Sequence, residues 1–241
     1  HDSSQKYAPT DVNPYVEAFF KWWASDLHKT LKDLRITGGE PLMSKHTWDL
    51  LDWFKANKGK SQTRLAINSN LGKEVDVDRL LDSIEGLEVD VYTSNESMGL
   101  QAEYIRDGLN YEQWFRNVRK LLDSDRIRAV HCMCTINALC LDSLPLFLET
   151  LLKLKEVYGR ERMSFTLNIL RFPSFQSPLV LPYEFRELYM LSLNAWLEMN
   201  RNNPLLHEHE INHAQRLIDY LDVVKSPHSE AFELDKLRND F

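Results

Sequence analysis

Residues 33–58 read DLRITGGEPLMSKHTWDLLDWFKANK. Asp33–Thr37 alternates polar and apolar in the two-residue beat of a strand. Gly38-Gly39-Glu40-Pro41 breaks that run, and Lys45–Lys58 then carries apolar residues at helical spacing. The same unit recurs down the chain. Strand-type runs at Thr63–Asn68, Leu87–Tyr92, Arg128–Ile136 and Ser164–Leu170 are followed by helical patterns at Asp76–Ile84, Tyr111–Asp123, Leu144–Tyr158 and Tyr183–Met199. Strands alternating with helices of this length predict βα units, right-handed crossovers and a parallel sheet, an α/β fold. Asn13-Pro14 starts one more helix ahead of the first strand, with Asn as cap and Pro at the first helical position.

Composition narrows the function classes. Of 241 residues, 43% are hydrophobic and 27% charged, which excludes a disordered or collagen-like chain. Eight glycines and nine prolines are few for this length and argue against a turn-rich all-β fold. A net charge of −7 argues against non-specific nucleic-acid binding and against adhesion to an anionic membrane. No apolar run approaches the ~20 residues that span a bilayer. Cys132, Cys134 and Cys140 are too few and too close for a disulfide framework, which points to a reducing, cytoplasmic setting. His1–Asn13 is polar and carries no signal-peptide pattern, and it reads as an internal piece of a longer protein. With no linker, low-complexity tract or repeat, one domain over 1–207 and a helical C-terminal extension over 208–241 is the simplest organisation.

In parallel α/β folds the chemistry gathers on loops leaving the carboxyl ends of the strands. Those loops are Gly38–Met43, Ser69–Gly72, Thr93–Gly99, Asn137–Cys140 and Arg171–Pro182, a rim rich in Gly, Asn, Ser and Glu. The opposite turns, Gly59–Gln62 and Gly159–Arg162, are plain and charged. Gly38 and Gly39 allow positive φ and close approach of backbone to a ligand, and Pro41 stiffens the exit. An amino group bound there meets backbone carbonyls and the Glu40 carboxylate. The competing reading is a strand-to-helix turn with glycine present for geometry alone.

At these residues the chain resembles the radical S-adenosylmethionine (radical SAM) enzymes. Their GGEP motif follows the second strand of a partial (β/α)6 TIM-like barrel and receives the amino group of SAM. Ser94-Asn95-Glu96-Ser97-Met98-Gly99, followed by Ala102-Glu103-Tyr104-Ile105-Arg106, is similar to the fourth-strand segment of the branch with SPASM or twitch cluster extensions. Ile67-Asn68-Ser69-Asn70 is similar to that family's third-strand end, and Thr135-Ile136-Asn137 stands where the fifth strand often supplies an Asn. The matches run in family order from Arg35 to Pro182. The resemblance implies a SAM site of Gly38, Gly39, Glu40, Pro41, Asn68, Asn70, Ser94, Glu96, Arg106 and Asn137. It implies a [4Fe–4S] cluster as second cofactor, and reductive cleavage of SAM to a 5′-deoxyadenosyl radical that abstracts hydrogen from a substrate. Such branches often act on peptides or proteins, although no residue here names a substrate.

The chemistry of SAM asks for the same residue types. It is a zwitterion with an adenine, so it needs acceptors for an ammonium, a donor for a carboxylate and polar groups for a ribose. Glu40, Arg106, and Ser94 with Asn137 offer that set, the Arg106 fork suiting a carboxylate. Plainer readings stand beside it: a surface salt bridge of Arg106 with Glu103 or Asp107, Asx turns at Asn68 and Asn70, and Glu96 as a helix cap.

The chain departs from the family in one respect. CxxxCxxC, whose thiolates hold the cluster, is absent, and Cys132-x-Cys134-x5-Cys140 has another spacing and lies on a strand. Small buried hydrophobes explain these cysteines. The family's cysteine loop leaves strand one, whereas Asp33–Thr37 matches strand two. The first strand and the cluster ligands are therefore expected upstream of His1, with Asp2-Ser3-Ser4 as the tail of that loop, and the chain alone is expected to be inactive. A cluster-free scaffold is the alternative. A rival motif, His209-Glu210-Ile211-Asn212-His213, is a literal HExxH that could bind zinc with Glu210 as general base. Its polar surroundings, LLHEHEINHAQR, read instead as a solvated helix start.

Overall fold

The computed structural model describes residues 13–223 and 236–238. The polar start of the chain, Asp2-Ser3-Ser4 within it, and most of the extension beyond 223 lie outside the described residues. Asn13 caps α1 (Pro14–Trp22), its Oδ1 accepting from Tyr15 N at 3.0 Å. A π turn at Trp23–Leu27 leads to α2 (His28–Thr30) and on to β1 (Asp33–Ile36). Then follow α3 (Lys45–Ala56), β2 (Arg64–Asn68), α4 (Val77–Ser83), β3 (Val89–Ser94), α5 (Gly99–Ile105) and α6 (Tyr111–Asp123). β4 (Ala129–Ile136), α7 (Leu144–Tyr158), β5 (Met163–Ile169), α8 (Tyr183–Asn200) and α9 (Glu208–Leu221) complete the order.

The fold is α/β, as the alternation predicts. Its five strands are all parallel and lie in chain order β1-β2-β3-β4-β5. Helices α6 and α7 match their expected bounds, while strand ends shift. The third strand runs on past Tyr92 to Ser94, because Thr93 is buried beside Cys132 and accepts from Trp114 Nε1 at 2.9 Å. The short α5 breaks the simple strand-helix beat. Of the expected helical extension, α9 ends at Leu221 and 236–238 is again helical. No helix among the described residues is long and apolar enough to cross a membrane.

The two faces of the sheet differ sharply in chemistry. One face carries Leu65, Ile67, Val91, Val130, Cys132, Cys134, Phe165 and Leu167, all buried in one apolar core beneath the helices. The other face carries Arg35, Asn68, Asp90, Tyr92, Ser94, His131, Thr135 and Ser164, most of them only half-buried. Parallel strands covered on both sides read as continuous apolar runs. Here polar and apolar residues alternate, so one face packs a core and the other stays open.

The two edges also differ. β5 is sealed by α9: Glu210 Oε1 accepts from Phe165 N at 2.9 Å and His213 Nδ1 from Leu167 N at 3.2 Å, while Arg216 donates to Leu167 O at 2.7 Å. Helical spacing of three places Glu210, His213 and Arg216 on one side, and strand spacing of two presents alternate N–H groups to them. Among the described residues β1 pairs only with β2. Beside its free edge lies an apolar groove of about 360 Å³, lined by Val16, Phe19 and Phe20 of α1, by Leu34 and Ile36, and by Leu50.

Candidate functional site

The loops at the carboxyl ends of β1, β2 and β3 converge. Gly38 and Gly39 leave β1 with φ of 97° and 56°, and a Cβ on either would meet no atom within 4 Å. The glycines are therefore required by backbone conformation, which L side chains disfavour there, and not by crowding. The turn delivers Glu40, whose Oε1 accepts from Leu42 N at 3.1 Å and whose Oε2 accepts from Asn70 N at 2.7 Å. The carboxylate thus ties the β1 loop to the β2 loop and is locked in orientation. Pro41 and Leu42 are buried behind it in a 3-10 turn, with Trp48 Nε1 donating to Leu42 O at 2.8 Å.

Asn70 makes the expected Asx turn, its Oδ1 accepting from Gly72 N at 2.8 Å. Leu71 is held at a φ of 49°, and Asn117 Nδ2 donates to its carbonyl at 2.9 Å. Asn68 behaves differently. Its Oδ1 is buried with no hydrogen-bond partner among the described residues, an acceptor left open at the end of β2. Such atoms are rare in folded proteins and ask for a donor.

Asn70, Gly72, Ser94 and Arg106 line a cavity of about 460 Å³ beside these loops. Arg106 does not form the surface pair with Glu103 or Asp107. Glu103 instead accepts from Tyr111 N at 2.9 Å at the start of α6. Arg106 gives Nε and Nη2 to Glu96 at 3.1 and 2.5 Å. Glu96 is 2% exposed and also accepts from Thr135 N at 3.2 Å, so it anchors Arg106 across the β3 and β4 ends and caps no helix. Arg106, 28% exposed, reaches the cavity as a donor whose charge is already balanced. Asn137 lies apart from this convergence in its bonding. Its Oδ1 accepts from Leu139 N at 2.9 Å and its Nδ2 donates to Thr135 O at 3.2 Å, which closes its own loop.

Cys132 and Cys134 sit on the helix-covered face of β4 and Cys140 in the turn after it, each with no exposed surface. Burial pushes the Cys134 thiol up and the Cys140 thiol up to about 12, which keeps both protonated and inert as ligands. No group of three or more His, Cys, Asp or Glu among the described residues could hold a metal ion. The HExxH segment is not a solvated helix start. Glu210 is fully buried, its Oε2 on Lys155 Nζ at 2.6 Å, and His213 spends Nδ1 on the strand backbone. Glu210 has no path to a metal-bound water, and the zinc reading loses its base.

Sequence reasoning missed the open face itself. The alternation in RLAIN, VDVYTS and AVHCMCTI was the available signal, since a parallel strand buried on both sides would not alternate. Comparison with known proteins finds no matching family model, no matching curated protein and no matching solved structure.

Proposed function

We propose that this chain is the SAM-binding core of a radical SAM enzyme of the SPASM or twitch branch. Its sheet is then strands two to six of a partial (β/α)6 barrel, whose first strand would pair with the free edge of β1 over the apolar groove. Three features support that barrel: strands stepping one place at a time in one direction, helices on one face, and a polar opposite face fit to line an interior. The observation that carries the SAM reading is the pairing of a fixed Glu40 carboxylate with the unsatisfied Asn68 Oδ1 at the ends of adjacent strands.

The donor and acceptor set fits SAM. Glu40 and Asn68 accept from the ammonium, and Gly38 and Gly39 leave open space for its approach. Arg106, held by Glu96, donates to the carboxylate, and Ser94 and Asn70 face the same cavity as partners for ribose hydroxyls. A cluster held by ligands outside the described residues would supply the electron that cleaves SAM to a hydrogen-abstracting 5′-deoxyadenosyl radical. The described residues do not fit a [4Fe–4S] cluster, because all three thiols are buried, two of them on the helix-covered face of β4; its ligands would come from outside the chain.

Titration calorimetry of SAM into the intact protein tests the assignment. Glu40→Ala with Pro41→Ala is expected to weaken binding at least about tenfold, the loss of one charge-assisted acceptor. Unchanged affinity with an unchanged melt rejects the site. Failure of SAM to bind the parent protein rejects the assignment.

A further inference from the structure

Across the amino-terminal half of the open face runs a row of side chains that the SAM reading does not use. The Arg35 guanidinium lies 4.2 Å from the centroid of the Tyr92 ring, and Tyr92 stacks on His131 at 4.6 Å between centroids. Ala66, opposite Arg35 in the register, is small enough to let the guanidinium reach over β2. His131 Nδ1 is 2.6 Å from Ser164 Oγ on β5. Its other nitrogen, Nε2, faces Asp90 Oδ1 on β3 at 3.8 Å. Both of those atoms are buried without a hydrogen-bond partner among the described residues. Arg128 binds the second Asp90 oxygen and fixes the carboxylate.

We propose that Asp90, His131 and Ser164 form a second chemical site, in which Ser164 is a nucleophile for an ester or thioester whose acyl group carries a carboxylate. Parallel pairing brings these residues together from adjacent strands β3, β4 and β5 on one face, which is the nucleophile, base and orienting carboxylate arrangement of acyl transfer. In the tautomer that turns Nε2–H toward the Asp90 carboxylate, Nδ1 is left to accept the Ser164 O–H. Burial raises the Asp90 carboxyl, but the neighbouring His131 imidazole and the Arg128 guanidinium outweigh it and hold the group below the usual aspartate range. The 3.8 Å gap is longer than a hydrogen bond, as free enzymes often show before substrate closes the site.

In the reaction Ser164 Oγ bonds to the acyl carbon and its proton passes to Nδ1 of His131. The bond to the leaving alcohol or thiol breaks, and that group departs with the proton from His131. Water then cleaves the Ser164 ester by the same transfers in reverse order, releasing the acid. Arg35 has no carboxylate partner among the described residues and borders a cavity of about 390 Å³ together with Tyr92 and Asp90. A negatively charged acyl group satisfies it, two stacking steps from His131.

A fluorophosphonate probe followed by peptide mass spectrometry tests the nucleophile. The expected result is a single adduct on Ser164, displacing fluoride, that forms about a hundredfold more slowly in His131→Gln, the low end of general-base assistance. Asp90→Asn is expected to slow it as well, with melts confirming folded variants. No adduct on Ser164, or equal labelling rates in parent and His131→Gln, overturns the proposal. For the acyl group, nitrophenyl hemisuccinate is expected to turn over faster than nitrophenyl butyrate, with the preference lost in Arg35→Gln. Equal rates for the two esters overturn the assignment of an anionic acyl group. This site stands or falls independently of SAM binding.

Discussion

Glu210 and Lys155 meet at 2.6 Å with both side chains wholly shut off from solvent. The pair joins α9 to α7, and the free oxygen of Glu210 takes the N–H of Phe165. One carboxylate therefore fastens the last described long helix to both a neighbouring helix and the edge of the sheet.

Removing one partner leaves the other buried and uncompensated. Burial already pushes the Lys155 ammonium below the usual lysine range, against the pull of Glu210. Glu210→Gln keeps an acceptor for Phe165 but strands that charge, so it should cost about 3–5 kcal/mol. Lys155→Met combined with Glu210→Gln should cost less than Glu210→Gln alone. Denaturant melts of the single and double variants measure this, and additive costs would refute the coupling.

His213 makes folding stability depend on pH. Burial first, then Arg216 and His209, holds its imidazole below the ordinary value of 6.5, and its Nδ1 must stay unprotonated to accept from Leu167 N. The unfolded chain takes up this proton before the folded one does. The stabilising contribution is therefore complete above 6.5 and is lost as pH falls from there toward the folded value. His213→Gln, which keeps an acceptor but does not titrate, should flatten the fall in Tm between neutral pH and pH about 5. Parallel Tm profiles for parent and variant would show the idea wrong.

Gly38 and Gly39 should be sensitive to backbone alone. Gly38→Ala and Gly39→Ala meet no steric clash, yet each places a Cβ on a left-handed residue. The expected cost is about 1–2 kcal/mol, read as a drop in Tm of roughly 2–8 °C. Gly39→Asn should be milder than Gly39→Val, since Asn tolerates the region that Gly39 occupies. Equal Tm values for all variants would mean that the turn relaxes freely.

The edge of β1, unpaired among the described residues, and the apolar groove beside it should make the chain associate. Tyr15 is 81% exposed at the mouth of that groove, and Leu34 and Ile36 are only half-buried within it. Unpaired strand edges template pairing. Sedimentation velocity should show concentration-dependent oligomers for these 241 residues, reduced by Tyr15→Lys with Ile36→Lys. A strict monomer at high concentration would contradict an accessible edge.

Much of this was readable one segment at a time. The DLRIT run, the GGEP break and the helical stripe after it mark a βα unit because strand and helix periods and glycine torsions are local properties. The same holds for the Asn13 cap and for the Asx turn at Asn70. Arg106 shows where local reading stops. Its partner is Glu96, ten residues away across a helix, and not the nearer Glu103 or Asp107. HExxH shows the same limit, since nothing in five residues says that Glu210 will meet Lys155 and Phe165.

Periodicity and turn chemistry in the sequence determined the parallel α/β order and the loops that would share one rim. Only the tertiary structure decided which polar groups meet. Among the described residues it left Asn68 Oδ1 without a donor, buried the three cysteines in the core, and set Asp90, His131 and Ser164 on one face. The physical reason is that a strand's two-residue period assigns each side chain to one of two faces, but which face is covered depends on helices packed from far along the chain.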